Sequence, residues 1–450
     1  MKMPAPPPPL NELFDKLKGD PERLLKALTM STQASNGTYL PWDKIRYKKP
    51  PDDLTHEEWW LSIRMARTAS GRPLPALIDK TRNPFTYSIP DDVLRLTEEI
   101  SRRASGNIAL PEQVTSPSMR DRYIVNSLIE EAITSSQLEG AATTRQVAKE
   151  MIRSGREPMD RGERMILNNY HAMGRVRELR DEDFSPELVC EIHRIVTVDT
   201  LDDPSSAGEL QRDPDPAARV AVYGDGHQVL HVPPPVEELP DRLERLCAFA
   251  NGATGNNSWV QPVLRSLAVH FMAGYDHYFE DGNGRTARAL FYWSMLKQGY
   301  WLTEFLTISR ILKMAPAKYA RSFILTEQDG GDLTYFFLYH LNVIRRAIDD
   351  LDSYLARKVR ELRETRVLLA ATPGEYNHRQ LALLELAIRE PSRVFTARSH
   401  GRSHNVSTET ARHDLIDLES RGLLARTKIG RQYVWSPAGH LPAKIRESQY

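Results

Sequence analysis

From Pro90 to about Arg363 the apolar residues of this chain recur three and four apart, in stretches broken by Pro and Gly, and strand signals are nearly absent between Pro90 and Phe184. A chain patterned this way buries one stripe of each segment and folds as packed helices. Segments near Asp92 to Ser105, Pro117 to Leu138 and Asn169 to Asp181 carry the pattern. Ser185-Pro186-Glu187 opens another, with Ser as N-cap and Pro at the first helical position, followed by Leu188, Val189, Ile192, Ile195 and Val196. Further upstream Trp42, Trp59 and Trp60, with Leu61, Ile63 and Met65, read as a packed helical element beginning at the N-cap Thr55. The run from Pro4 to Pro9 reads as an extended lead-in outside the packed fold.

Two stretches depart from the helical pattern. Arg219 to Pro235 reads as a hairpin: a short apolar run, the turn Gly224-Asp225-Gly226, alternation from Gln228 to Val232, then three prolines. A lone ribbon keeps open edges, so it is either a surface loop or a place where another extended chain pairs. After a charged connecting helix, the second departure begins. A helix from Tyr376 to Ile388, a short segment from Val394 to Arg398, a helix from the N-cap Ser407 to Arg421, and a hairpin from Leu424 to Trp435 around Gly430 follow in the order of a winged helix-turn-helix.

The 450 residues leave room for two or three modules, and 60 basic against 60 acidic residues cancel. No global field therefore draws the molecule to nucleic acid or anionic lipid, and any such affinity must be local. Cys190 and Cys247 are too few for a disulfide framework or a thiolate zinc site, and a reducing cytosol suits them. No stretch approaches the ~20 apolar residues that span a bilayer, and MKMPAPPPPL lacks the apolar centre of a signal peptide. These features predict a cytoplasmic protein with no membrane partner.

The densest chemistry lies in His277-Tyr278-Phe279-Glu280-Asp281-Gly282-Asn283-Gly284-Arg285-Thr286-Ala287-Arg288. Val263, Leu264, Leu267, Ala268 and Phe271 place His277 at the end of one amphipathic helix, and Ala287, Ala289, Leu290, Phe291 and Trp293 begin a second. The link is then a tight turn at a helix N-terminus, where free N–H groups and the dipole favour an anion. Arg285 and Arg288, three apart, share one face beside it and suit a polyphosphate. Asp281 offers the hard oxygen that a phosphate-bound Mg²⁺ takes from one or two carboxylates, and His277 can accept a proton near neutral pH. Phe279 is expected to face the core. Alone, His277 reads as a satisfied helix-end histidine; the twelve residues together read as a phosphate-binding loop carrying a base. A metal hydrolase built on His270, His277 and Asp281 is disfavoured because the two arginines repel a cation, and the Walker lysine signature is absent.

This segment resembles the signature of Fic-domain proteins, HxFx(D/E)GNGRxxR, at every defined position; Tyr278 stands where that family most often has Pro. The resemblance implies transfer of AMP from ATP, with Mg²⁺, to a hydroxyl side chain of a protein. On that implication His277 is the general base, Asp281 holds Mg²⁺, Gly282, Asn283 and Gly284 cradle the α-phosphate, and Arg285 and Arg288 hold the outer phosphates. Ser135-Ser136-Gln137-Leu138-Glu139-Gly140 is similar to the inhibitory-helix motif (S/T)xxxE(G/N) of Fic proteins that carry their own inhibitor. It implies that Glu139, with Ser135 and Gly140 of the same motif, pairs with Arg288 and blocks the γ-phosphate, since a carboxylate competes with phosphate for one guanidinium. The family's hairpin flap implies target docking at Val222, Tyr223, Gly224, Val229 and Leu230, positioned by Gly208 to Arg212, with adenine contacts at Tyr319, Phe323 and Gln328.

The expected fold is mainly α: a Fic-type helical bundle with a β-hairpin flap and a small C-terminal winged helix-turn-helix. Residues 1–54 form a partly extended lead-in, 55–184 a helical region with the inhibitory helix, 185–345 the catalytic core, 346–372 a helical linker and 373–440 the winged helix. The expected function is autoinhibited protein adenylylation of a Tyr, Thr or Ser hydroxyl on a target protein or on the chain itself. The alternatives are removal of AMP or transfer of another nucleotide by the same site, and a transcription regulator whose core only senses nucleotide. The tail is expected to dock DNA or protein. Arg393, Arg398, Arg402, Arg412, Arg426, Lys428 and Arg431 favour DNA phosphate, while Asp414, Asp417 and Glu419 count against it. An isologous homodimer that buries Glu139 more deeply is compatible with the sequence.

Overall fold

The computed structural model describes residues 3–29, 38–51, 53–105, 117–213, 215, 219–223, 229–255, 259–370, 375–390, 393–429, 432–439 and 441–447. The chain divides into two compact units, Met1–Asn107 with Asn126–Ile348, and Ile108–Val125 with Asp349–Tyr450. Helices dominate the described residues, and the sheets among them are antiparallel two-stranded hairpins.

The first unit begins with α1 (Leu10–Leu17), α2 (Pro21–Thr29), α3 (Trp42–Ile45) and α4 (His56–Ser70). Thr55 starts α4 through a capping box: its side chain accepts from the Glu58 N–H, and the Glu58 carboxylate reaches back to the Thr55 N–H. Leu13, Leu17 and Ile45 pack on Trp59, Trp60 and Leu61, so the tryptophans are core. The proline run is extended but not loose, which corrects the expectation of an unpacked lead-in. Pro4 is buried, the Ala5 N–H donates to Asp43 Oδ1 at 2.8 Å, and Gln328 Nε2 donates to the Pro4 carbonyl at 3.3 Å. An extended proline run has no internal hydrogen bonds, so its backbone is free for partners alongside. β1 (Arg72–Ile78) and β2 (Pro84–Tyr87) follow; Pro73 and Pro75 hide β1 in the sequence, yet both are tolerated in an edge strand.

Next come α5 (Asp91–Ser105), α6 (Pro117–Leu138), α7 (Arg145–Ser154), α8 (Arg161–Glu178) and α9 (Pro186–Thr197). α7 escapes the periodicity reading although Thr144 caps its start and Gly155, with φ of 70°, its end. α8 begins at Arg161, earlier than expected, because Asp160 caps it through the Glu163 N–H. β3 (Val222–Tyr223) and β4 (Val229–His231) pair Val222 with His231 and Tyr223 with Val229. Their expected turn, Gly224-Asp225-Gly226, lies outside the described residues.

α10 (Leu239–Ala250), α11 (Pro262–Asp276), α12 (Asn283–Lys297), α13 (Ile308–Met314), α14 (Pro316–Gln328) and α15 (Thr334–Ala370) complete the helices of this region. α11 and α12 pack on each other with α8, α9 and α10 around them, and almost all their side chains are buried. Trp293 stacks on Phe184 at 3.8 Å and 14° and donates its Nε1–H to the Leu179 carbonyl at 2.7 Å. Phe271, Phe279 and Phe291 are also fully buried, each burial contributing about 1.5–3 kcal/mol. The loop between α11 and α12 is thus held at both ends by the core.

The second unit includes Tyr123 edge-on to Tyr354 at 5.6 Å and 87°. It continues as α16 (His378–Arg389), α17 (Ala397–His404), α18 (Thr408–Ser420), β5 (Leu424–Ile429), β6 (Gln432–Pro437) and α19 (Leu441–Glu447). Leu384, Leu415, Leu418, Leu423, Trp435 and Ile445 form its core. Phe395 adds a bridge to β6, exchanging hydrogen bonds with Trp435 at 2.7 and 2.8 Å. Gly430 and Arg431 lie outside the described residues.

Candidate active site

α11 ends at His277, whose φ of 50° and ψ of 60° place a non-glycine residue in the left-handed region. Arg219 holds it there. Its Nη2 donates to the Asp276 carbonyl at 2.6 Å, Nη1 to the His277 carbonyl at 3.0 Å and Nε to the Pro234 carbonyl at 2.8 Å. A buried guanidinium therefore caps the negative end of α11 and ties it to the chain behind β4. Burial draws Arg219 down to about 10. His277 Nδ1 faces the Gly274 carbonyl at 3.4 Å; a carbonyl only accepts, so the proton belongs on Nδ1 and the Nε2 lone pair stays available. Burial, reinforced by His231 and Arg219, pulls the His277 pKa down to about 4, which leaves it neutral at pH 7.

Tyr278 is buried and donates its hydroxyl to Asp276 Oδ2 at 2.7 Å, while Arg242 reaches Asp276 Oδ1 at 3.1 Å. Burial raises the Asp276 carboxyl to about 6, and these donors satisfy it. The Asn283 side chain closes the loop on itself: Nδ2 donates to the Phe279 carbonyl at 2.6 Å and Oδ1 accepts from the Phe279 N–H at 2.9 Å. Its amide is engaged inside the loop, so what Asn283 offers an anion is its backbone N–H at the head of α12. Gly282 caps that helix with φ of 79°, and a Cβ there would stand 2.5 Å from Thr197 Cγ2. Asp281 is half-exposed; its Oδ1 accepts from the Gly282 N–H at 2.6 Å and its Oδ2 meets Arg161 Nη2 at 3.3 Å. Among the described residues no three His, Cys, Asp or Glu side chains gather as metal ligands, and His270 Nε2 is engaged by the Tyr319 hydroxyl at 2.9 Å.

The two arginines of the loop differ in what they touch. Arg285 is 1% exposed; Nη1 donates to the Val196 carbonyl at 2.9 Å, but Nε and Nη2 have no partner among the described residues. Arg288, also buried, is filled: Nε donates to Ser135 Oγ at 2.8 Å, and Nη2 to the Ser135 carbonyl at 3.0 Å and Glu139 Oε1 at 2.8 Å. The Glu139 carboxylate lies over Gly284, where a Cβ would fall 2.1 Å from Oε1. Gly140, with φ of 92°, ends α6 directly after it. Ser135 and Glu139 thus meet Arg288, and Gly140 follows them at the end of the helix.

The other named residues are spread more widely. Val222, Tyr223, Val229 and Leu230 lie in the hairpin, which is fastened by His231: Nε2 meets the Tyr275 carbonyl at 2.7 Å and Nδ1 meets Glu327 Oε2 at 2.8 Å. Gly224 lies outside the described residues. Gln211 donates its N–H to the Tyr278 carbonyl at 2.9 Å, so the segment from Gly208 to Arg212 touches the loop directly. Tyr319 and Phe323 belong to an aromatic cluster with His270 and Phe336, while the Gln328 amide is held by Pro4.

Sequence reasoning missed His193 and Glu131. His193 stacks flat on Phe279, and its Nδ1 accepts from the Gly208 N–H at 2.9 Å. Its proton must therefore be on Nε2, which donates to the Asp281 carbonyl at 2.9 Å. Burial pulls its pKa down to about 4. The signal was a histidine in phase with Val189, Ile192 and Val196 on the apolar face of α9. Glu131 fastens α6 by accepting from the Ser309 N–H at 3.0 Å and from the Ser309 hydroxyl; burial pushes its carboxyl up.

Residues 183–295 match the Fic/DOC family. The matched span holds α9, the hairpin, the His277 loop and most of α12. The chain is 30% identical over 118 residues to a protein named Protein adenylyltransferase Fic from Drosophila melanogaster, and to the same extent to its namesake from Drosophila sechellia. That alignment covers 26% of this chain and 21% of the fly proteins, so the chain spans about a fifth of the length of the curated relatives it matches. A solved Fic family protein from Desulfovibrio desulfuricans superposes with a TM-score of 0.51 at 18% identity, over 78% of this chain and 98% of that one. The Fic fold is thus shared well beyond the Fic/DOC match.

Proposed function

We propose that this chain is a protein adenylyltransferase held in check by its own α6, moving AMP from ATP to a Tyr, Thr or Ser hydroxyl of a target protein or of itself. One contrast carries the reading: Arg285 keeps buried N–H groups with no partner among the described residues, while Arg288, one turn along, is closed by Glu139. Unpaired guanidinium donors beside a helix N-terminus fit phosphate oxygens, and a carboxylate on the neighbouring guanidinium stands where another phosphate would.

The target hydroxyl gives its proton to His277 Nε2 as its oxygen bonds to the α-phosphorus. The bond from that phosphorus to the β-bridging oxygen breaks, and pyrophosphate leaves. Backbone N–H groups of Asn283 and Gly284 face the charge on the α-phosphate, with Gly282 shaping the turn, Arg285 holds the outer phosphates, and Arg288 joins once Glu139 withdraws. Mg²⁺ fits a single half-exposed carboxylate such as Asp281 and, when bound, supplies charge neutralisation on the phosphates. The β3–β4 hairpin presents a short open edge on which an extended target segment can add as a strand. The C-terminal unit is read as a winged helix. A second reading, removal of AMP, is supported by Glu139 Oε2, which makes no hydrogen bond among the described residues and is free to orient a water.

The test is incubation of wild type, Glu139→Gly, and Glu139→Gly with His277→Ala in ATP and Mg²⁺, followed by intact-mass analysis. Gain of AMP in the Glu139→Gly single variant alone is the expected result. Absence of transfer from every form, to itself or to lysate proteins, removes the transferase reading, and AMP release from modified protein that Glu139→Gly abolishes installs the second.

A further inference from the structure

The C-terminal unit changes the meaning of its charges once folded. By sequence, Asp414, Asp417 and Glu419 put negative charge on the helix that would enter a DNA groove. In the structure all three turn inward or sideways. Asp414 is 5% exposed and accepts from Arg379 Nε at 2.7 Å, Asn377 Nδ2 at 2.7 Å and His400 Nε2 at 3.2 Å. Asp417 accepts from Gln380 Nε2 at 2.7 Å and Arg421 Nε at 3.1 Å. Glu419 accepts from Trp435 Nε1 at 2.9 Å and meets Arg426 Nε at 3.2 Å. These carboxylates fasten α18 to α16, α17 and the β5–β6 hairpin, and each is neutralised or held where it is made.

On α17, α18 and the β5–β6 hairpin most of the exposed charge is basic. Arg398 and Arg402 are exposed on α17, Arg412 and His413 on α18, and Lys428 on β5. Neither α17 nor β5 nor β6 contains an acidic residue. The most exposed carboxylate of α18 is Glu409, 3.4 Å from both Arg412 Nε and His413 Nε2. A carboxylate beside an arginine aims the guanidinium fork, and that fork suits guanine O6 and N7 in a major groove about 12 Å wide, which admits one helix. α17 and α18 are joined tightly through Asn405, with φ of 52°, as in two helices of which the second reads bases while the first crosses the backbone.

We propose that this unit binds double-stranded DNA, with α18 in the major groove, Arg412 on base edges, and Arg402 and Lys428 on phosphates. The inference stands apart from the transfer chemistry, because none of these residues belongs to the His277 loop.

The test uses the full chain and a labelled mixed-sequence DNA duplex, followed by fluorescence anisotropy between about 50 and about 200 mM salt. Binding should weaken linearly in log–log form. Arg402→Ala and Lys428→Ala should each lower the salt slope by about 1 and weaken all sequences alike, whereas Arg412→Ala should also flatten the preference recovered by selection from randomised duplexes. His277→Ala should bind as wild type, so loss of transfer and loss of DNA binding are separable. The substituted side chains are exposed, and an unchanged melting temperature confirms folding. No duplex binding at the lowest salt overturns the proposal. So does binding indifferent to all three substitutions, or equal affinity for an RNA duplex or for vesicles of anionic lipid.

Discussion

The His193 ring lies flat on the Phe279 ring, with centroids 3.7 Å apart and planes 3° from parallel, while its two nitrogens bind Gly208 and Asp281 on either side. One buried side chain thus sets both the core end and the carboxylate end of the His277 loop. It is a positioning residue. His193→Phe keeps the stack and loses both hydrogen bonds. Misplacement by about 1 Å is worth ~100-fold in rate, so kcat should fall 10- to 100-fold with nucleotide affinity little changed. His193→Gln, which can both donate and accept, should recover part of the loss. Equal kcat in wild type and His193→Phe, measured in the Glu139→Gly background, would show that the stack alone suffices.

His277 has its pKa drawn down to about 4 by burial. Because the Glu139 charge raises this pKa, in the Glu139→Gly background the acid limb of kcat/KM should centre at or below about 4 and not at an ordinary histidine value of about 6.5. The stability sign follows: the unfolded chain binds a proton that the native His277 does not, so stability rises with pH between about 4 and about 6.5. His277→Ala should shrink that slope in denaturation midpoints taken across this window. His193, drawn down to about 4 in the same way, should leave a similar residual slope.

Glu139 closes Arg288 through a charge-assisted hydrogen bond, worth about 1.5–3 kcal/mol. Glu139→Gly should accordingly tighten ATP binding and raise transfer by about 10- to 100-fold. Glu139→Gln, with a neutral oxygen at the same place, should fall between the two. Titration of nucleotide by calorimetry reads the affinity without any target protein.

Gly284 lies beneath the Glu139 carboxylate, where an added Cβ would fall 2.1 Å from Oε1. A methyl group added there meets the Glu139 carboxylate, so Gly284→Ala should cost about 1–3 kcal/mol in the wild type. In the Glu139→Gly background most of that cost should vanish. A double-mutant cycle on chemical denaturation gives the coupling; a coupling near zero would place the two residues apart in solution.

Arg161 occupies one oxygen of Asp281 in a largely exposed pair, a contact worth about 0–1 kcal/mol. Arg161→Ala should lower the Mg²⁺ concentration needed for half-maximal transfer, by up to about fivefold. An unchanged Mg²⁺ requirement would mean that the arginine is displaced without cost.

Much of this architecture is visible in the residue order. Thr55 and Ser185 cap helices as their side chains dictate, and Asp-Gly-Asn-Gly turns where helical spacing breaks off. Local chemistry decides such features, so local reading finds them. Pro73 and Pro75 conceal an edge strand, and α1 and α2 are too short for their periodicity to stand out. The residues hardest to foresee are Arg219, Glu131 and His193, because each acts on a partner far along the chain: Arg219 on Asp276 and His277, Glu131 on Ser309, His193 on Phe279 and Asp281. The orientation of the α18 acids is hidden from the sequence for a related reason. Their partners Arg379, Gln380 and Trp435 are named only by folding, and a count of charges cannot tell an inward carboxylate from an outward one.

Arg219 joins the carbonyls of Asp276 and His277 to the Pro234 carbonyl just beyond the hairpin. The chain leaving the ribbon and the backbone of the base are therefore bound to one side chain. If a target segment adds along β3 as proposed above, its distance to His277 would be set in the two-residue repeat of a strand and not by the identity of its side chains. Such an arrangement counts positions. An acceptor hydroxyl shifted by a single residue along an otherwise identical segment would face the opposite side of the ribbon, out of reach of the imidazole.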